Sequence, residues 1–163
     1  MKRLTVISLA ALLAACAPET TGEQAVGAAS GETVLPMTVE RLPDLNVPRS
    51  AHVMAYAGGE LTVIGGHTTG FVPTVTAEYF RDNKWHLVNT LYPHDFGFGV
   101  VLPSEEVLVG SGCAEDFGVG RTYGVELYNP VSHSFSPLPI LDQRRTHTSA
   151  AYLSNGTTVV SGN

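Results

Sequence analysis

Gly66, Gly112 and Gly162 stand 46 and 50 residues apart, Glu78 and Glu126 stand 48 apart, and Trp85 and Phe135 stand 50 apart. A period of that length makes each repeat one supersecondary unit. Such a unit cannot bury both of its faces alone and has to stack on its neighbours. The repeat therefore limits the chain to stacked or radial architectures before any single strand is assigned.

Within each unit the runs are short and β-prone, with no helical period. The first unit reads His52–Ala57, the turn Gly58-Gly59, Leu61–Ile64 with Gly65-Gly66, then Val75–Phe80, the turn Arg81–Lys84, and Trp85. The second reads Phe98–Leu102, Val107–Val109 with Gly110-Ser111-Gly112, Gly124–Tyr128, the turn Asn129–Ser132, and Phe135. The third starts at His147–Leu153, turns at Ser154-Asn155-Gly156, and carries Thr157–Gly162. Asn155-Gly156-Thr157 matches a glycosylation acceptor, but a hairpin turn explains it. Four strands in roughly 45–50 residues is the size of a β-propeller blade. The expected fold is all-β, a partial propeller of about two and a half four-stranded blades; a β-sandwich is the alternative. Trp85 and Phe135 are expected to fill the wedge between sheets. Gly65, Gly66, Gly112 and Gly162 are expected where the backbone turns in crowded space. Tyr56, Leu102 and Tyr152 are expected at repeated core positions.

These units resemble the kelch family, on Arg49-Ser50-Ala51-His52, Ile64-Gly65-Gly66, Glu78-Tyr79-Phe80 and Lys84-Trp85 in the first, and Val125–Pro130 with Phe135 in the second. Phe98 and Ser111 depart from the pattern, and the third unit offers Arg145-Thr146-His147 and Ser161-Gly162. The resemblance covers about residues 42–163 and implies a radial propeller that binds through loops at one mouth. Propellers close with about four to eight blades, so the expectation is either a truncated product or copies that self-associate through the unfinished blade.

The N-terminus has its own character. Met1-Lys2-Arg3 precedes an uncharged apolar stretch, Leu4–Ala15, ending in Leu13-Ala14-Ala15-Cys16. The stretch is shorter than the roughly 20 residues of a spanning helix and suits an export signal. It resembles a bacterial lipoprotein signal with its lipobox. That resemblance implies a signal peptide over 1–15, lipidation of Cys16, and, with Ala17 following, an address at the outer membrane where two membranes exist. Residues 16–39 are small and polar and read as a lipidated tether, leaving 40–163 as the propeller.

The formal charge is −6, from 9 basic and 15 acidic side chains. With no basic cluster of five or more, nonspecific nucleic-acid binding is not expected. With Cys16 lipidated, Cys113 would have no disulfide partner, so it is expected to be buried. His67, His94, Asp95, Cys113, Glu115, Asp116 and His133 are the types a metal site uses, but none has strong ligand spacing, so no metal or cofactor is expected. No Gly-x-Ser-x-Gly elbow or phosphate-cradling loop is present, and no catalytic residue is assigned. The kelch-like copper oxidases are the enzyme comparison, but their tyrosine, histidine and cysteine centre has no mapped counterpart here. The loops 67–74 and 113–122 both leave a second strand, so they should share a face. On it, His67, Phe71, Glu115, Asp116, Phe117 and Arg121 are the candidate ligand-binding residues, suited to a protein or glycan. Arg49 and Arg145 are expected to tie adjacent blades through backbone carbonyls. The first functional reading is a surface-tethered binding module; the alternatives are an extracytoplasmic propeller enzyme (oxidoreductase, isomerase or hydrolase) and a fragment without independent function.

Overall fold

A computed structural model describes residues 5–6, 38–115, 119–122 and 124–163, without the side chains of Thr5, Val6 and Val119. Cys16, Asp116 and Phe117 lie outside the described residues. The chain divides into a unit over 1–42 and a unit over 43–163. In the first, β1 (Thr5–Val6) pairs in parallel with β2 (Thr38–Val39). No helix among the described residues is long and apolar enough to cross a membrane.

The second unit is built from antiparallel sheets. The first sheet runs in the order β3 (Val53–Ala57), β4 (Glu60–Ile64), β7 (Thr76–Arg81), β8 (Lys84–Asn89). The second repeats it with β9 (Phe98–Val101), β10 (Val107–Gly110), β13 (Val125–Asn129) and β14 (Ser134–Pro137). A two-stranded hairpin, β15 (Ser149–Tyr152) with β16 (Thr158–Ser161), opens the third. This is a partial, propeller-like arrangement of repeated sheets. The expected loops 67–74 and 113–122 prove to be small hairpins: β5 (His67–Thr68) with β6 (Val72–Pro73), and β11 (Cys113–Glu115) with β12 (Val119–Arg121). In the first, Gly70 and Phe71 at φ +81° and +58° turn the chain back on itself.

The register shows that the repeat is structural. Glu78 lies opposite Val63 and Leu87, and Glu126 lies opposite Val109 and Pro137. Trp85 pairs with Phe80 at 5.1 Å between ring centres, and Phe135 pairs with Tyr128 at 4.9 Å. The two residues therefore hold equivalent places. The core forms where one face of the first sheet (Val53, Ala55, Ile64, Ala77) meets one face of the second (Val107, Val109, Tyr128). Gly99 lets the sheets approach, since a Cβ there would lie 2.2 Å from Val53 Cγ1. At the rim, His133 in the turn between β13 and β14 stacks on Tyr79 of the first sheet at 3.6 Å and pairs with Glu60, which also binds Arg81.

Two local expectations change. The third unit's first strand begins at Ser149, because His147 is held in a left-handed turn at φ +51°. Tyr56 is not a core residue; it is 68% exposed. Strict alternation buries Val53, Ala55 and Ala57 and turns Met54 and Tyr56 outward.

Candidate functional site

The site is made by a corner that occurs three times ahead of the first strands: Arg49-Ser50-Ala51, His94-Asp95-Phe96 and Arg145-Thr146-His147. The first member of each reaches the carbonyl that ends the following second strand. Arg49 Nη1 donates to Gly65 O at 2.9 Å, His94 Nδ1 lies 3.1 Å from Ser111 O, and Arg145 Nη1 donates to Gly162 O at 3.0 Å. Arg49 and Arg145 thus tie backbone carbonyls within their own units and do not join adjacent blades as expected. Arg49 also pairs with buried Glu78, while His94 meets Glu126 at 2.7 Å, so a histidine fills the arginine position in the second unit.

The second member bridges to the chain just past the second strand. Ser50 bridges to His67 and Asp95 to Cys113, while Thr146 and Asn163 exchange backbone hydrogen bonds of 2.8 and 3.2 Å. The third member (Ala51, Phe96 or His147) has φ of +53°, +57° and +51°, which swings the chain into the next sheet. Side chains from three units are thereby gathered at one end of the stack.

There His67 Nδ1 lies 2.7 Å from Asp95 Oδ1. The Asp95 side chain is fully buried and that of His67 is 11% exposed. Asp95 Oδ2 is buried and has no hydrogen-bond partner among the described residues. Phe71 and Phe96 flank the His67 ring at 4.8 and 5.6 Å, and Phe96 stacks on His147 at 4.2 Å. Beneath them buried Cys113 Sγ lies 3.0 Å from Thr146 Oγ1. The arrangement is a half-sheltered imidazole backed by a buried carboxylate, with aromatic walls around it. Such a pair can accept and return a proton.

Burial pushes the Asp95 carboxyl above its ordinary 3.8, and the hydrogen bond from His67 and the charges of His67 and His147 only partly offset this. The folded state then holds that proton more tightly than the unfolded chain. Stability from Asp95 is present below the ordinary value and is lost as pH rises through the folded one. Asp95→Asn cannot titrate, so its urea midpoint should fall less than the wild-type midpoint between about pH 4 and about pH 7. Equal pH slopes would exclude this role for Asp95.

Of the sequence candidates, the fold brings His67 and Phe71 together. The two inserted hairpins touch through β6 and β11, so they do share an end. Glu115 and Arg121 lie on the β11–β12 hairpin and are exposed. The proposed metal types scatter: His94 goes to Glu126, His133 to Glu60, and Cys113 to Thr146. Asp95, Phe96 and His147 were missed as a group; their signal was their shared place in the three corners. An open depression of about 240 Å³ lies instead between the first strands, lined by Phe98, Gly99, Ser149 and Ala150, and has no titratable side chain.

Fold and site together define a propeller-like all-β protein with a histidine–carboxylate pair at one end of its sheets. Among solved structures the chain is similar to a novel fungal alcohol oxidase of the AA5 family, described with catalytic diversity and in complex with copper. The two are 21% identical with a TM-score of 0.62, and the match covers 71% of this chain and 27% of the oxidase. That likeness establishes the fold. No protein-family model matches the chain, and no curated protein matches it. The kelch assignment is therefore corrected to a propeller-like fold similar to that of an AA5 oxidase; Phe98 and Ser111 stand where the kelch pattern has other residues. The lipoprotein reading, with its palmitate and outer-membrane address, is likewise not sustained. The likeness found is to the fold of an oxidase. Copper in the relative raises the question of fit. No three His, Cys, Asp or Glu side chains converge as a metal site among the described residues. The described residues do not fit a copper ion, and no step is routed through one.

Proposed function

We propose that this chain forms part of an extracytoplasmic propeller enzyme of the oxidoreductase class, acting on a hydroxyl-bearing substrate, with His67 and Asp95 as its proton-handling pair. The observation that carries this is the 2.7 Å contact between half-sheltered His67 and buried Asp95, whose second oxygen is unpartnered. The fold's likeness to an alcohol oxidase supports the class, and the charged start and apolar Leu4–Ala15 support export. Because the match spans 27% of that oxidase, the activity of a whole enzyme is an extension from this part.

Asp95 fixes the imidazole by accepting from Nδ1, which leaves Nε2 to take the hydroxyl proton of the substrate. Phe71 and Phe96 exclude water and present flat apolar faces to C–H groups. A tethered binding module would need none of this buried acid–base pairing.

The test is oxidation of a panel of primary alcohols and polyols to aldehydes with dioxygen as the two-electron acceptor, reduced to hydrogen peroxide, in wild type and in His67→Ala and Asp95→Asn. Loss of general-base catalysis should lower kcat by about 10²–10⁴-fold in His67→Ala. Absence of turnover in wild type, or equal rates in all three proteins, would refute the proposal.

A further inference from the structure

A row of four rings crosses the site, and on the reading of His67 as the general base we infer that His147 is a positioning residue for it, acting through Phe96 from the third unit. Phe71 lies 4.8 Å from His67, His67 lies 5.6 Å from Phe96, and Phe96 lies 4.2 Å from His147 with 23° between the ring planes. The backbone of Phe96 is fixed at φ +57°, its N–H donating to Ala51 O at 3.1 Å and its carbonyl accepting from Thr148 N at 3.2 Å. The ring is only half-buried, so its torsions are set by what it touches. Its ring partners among the described residues are the two imidazoles. Stacked aromatic rings prefer an offset arrangement of definite tilt, and the His147 face therefore limits how Phe96 meets His67.

His147 is itself held in place. Its Nδ1 lies 3.3 Å from Thr146 Oγ1, and that hydroxyl lies 3.0 Å from Cys113 Sγ, both Thr146 and Cys113 being buried. The Cys113–Thr146 contact repeats the His67–Asp95 contact one unit further on. In each, the residue just past a second strand meets the second corner residue of the following unit. The first pair handles the proton, and the second fixes the ring that backs Phe96.

The experiment compares His147→Ala and His147→Phe by two-dimensional NMR of the His67 imidazole and by the kinetics of alcohol oxidation. The corner backbone accepts both changes, since Ala51 at φ +53° and Phe96 at φ +57° already hold the conformation that His147 has at φ +51°. His147→Ala should shift the His67 resonances through the altered ring current of Phe96. It should also lower kcat about tenfold with KM nearly unchanged, the signature of a misplaced reacting group. His147→Phe keeps the stack and should restore both. In a Phe96→Ala background His147→Ala should no longer move the His67 resonances, because the link between them is gone. Resonances of His67 that stay put in His147→Ala, that His147→Phe fails to restore, or that move equally with and without Phe96 would each overturn the inference. So would an active wild type whose kcat His147→Ala leaves unchanged. A wild type without turnover ends the base reading alone, and the resonances then decide whether His147 positions the imidazole.

Discussion

Replacing Glu78 with alanine should destabilise the protein by about 3–5 kcal/mol, the cost of stranding one member of a buried ion pair. Both Glu78 and Arg49 have fully buried side chains, with Arg49 Nη2 donating to Glu78 Oε1 at 2.9 Å. The same carboxylate accepts from Asn46 N at 2.7 Å, Asn46 Nδ2 at 2.9 Å and Val47 N at 3.0 Å. It therefore pins the segment that leads into the first strand as well as neutralising the guanidinium. Alanine removes all four acceptor contacts and leaves a cation with no counter-charge from this partner. Against a usual stability of about 5–15 kcal/mol, the loss would leave a substantial fraction of molecules unfolded under mild stress. The contrast is Glu105→Ala: Glu105 accepts from Gly58 N at an exposed site, and about 1 kcal/mol or less is expected. Urea midpoints at constant m-value read both. A Glu78→Ala loss no larger than that of Glu105→Ala would show that the pair does not hold the segment. The paired change Arg49→Met with Glu78→Leu should recover most of the loss, since apolar replacement of a whole buried pair is often neutral or better.

Glu78 also shows how the sequence could be read. Its recurrence as Glu126 at 48 residues, with Trp85 and Phe135 close behind, was sufficient to find two equivalent sheets, because an outer strand has to repeat its large aromatic to fill the same wedge. Alternation in Val53–Ala57 revealed two faces but could not say which one a neighbour covers, and so Tyr56 was placed inside. The inserted hairpins escaped because strands of two or three residues are too short to display a period of two. The site was the least legible part. His67 and Asp95 are 28 residues apart in sequence, and what joins them is a backbone bridge set by the corners, not any motif around either residue. A histidine standing where the other units have arginine disguised the second corner. Aligned by their place before the first strand, Ser50, Asp95 and Thr146 show which position faces the end of the stack.

Gly66 is where that geometry is most exposed to a single methyl group. Gly66→Ala should cost about 2–5 kcal/mol, from the left-handed backbone penalty and from overpacking together. Gly66 has φ +84°, and an added Cβ would sit 2.3 Å from Ser50 O and 3.0 Å from His52 Cβ. The first of those atoms is backbone, so no rotamer change relieves the clash. Ser50 in turn is bridged to His67, by hydrogen bonds of 2.9 Å in both directions. Pushing Ser50 away therefore displaces the residue that carries the imidazole, and the His67–Asp95 contact should lengthen with it. Gly59→Ala isolates the two causes: Gly59 has φ +81° but nothing within 4 Å of the added Cβ, so it should lose only the backbone part, about 1–2 kcal/mol. Thermal or urea unfolding of the two variants measures the difference. The imidazole resonances of His67, followed through a pH titration, should move in Gly66→Ala and stay in place in Gly59→Ala. If the two variants lose equal stability and both leave His67 undisturbed, then the close approach of Ser50 to Gly66 does not position the site.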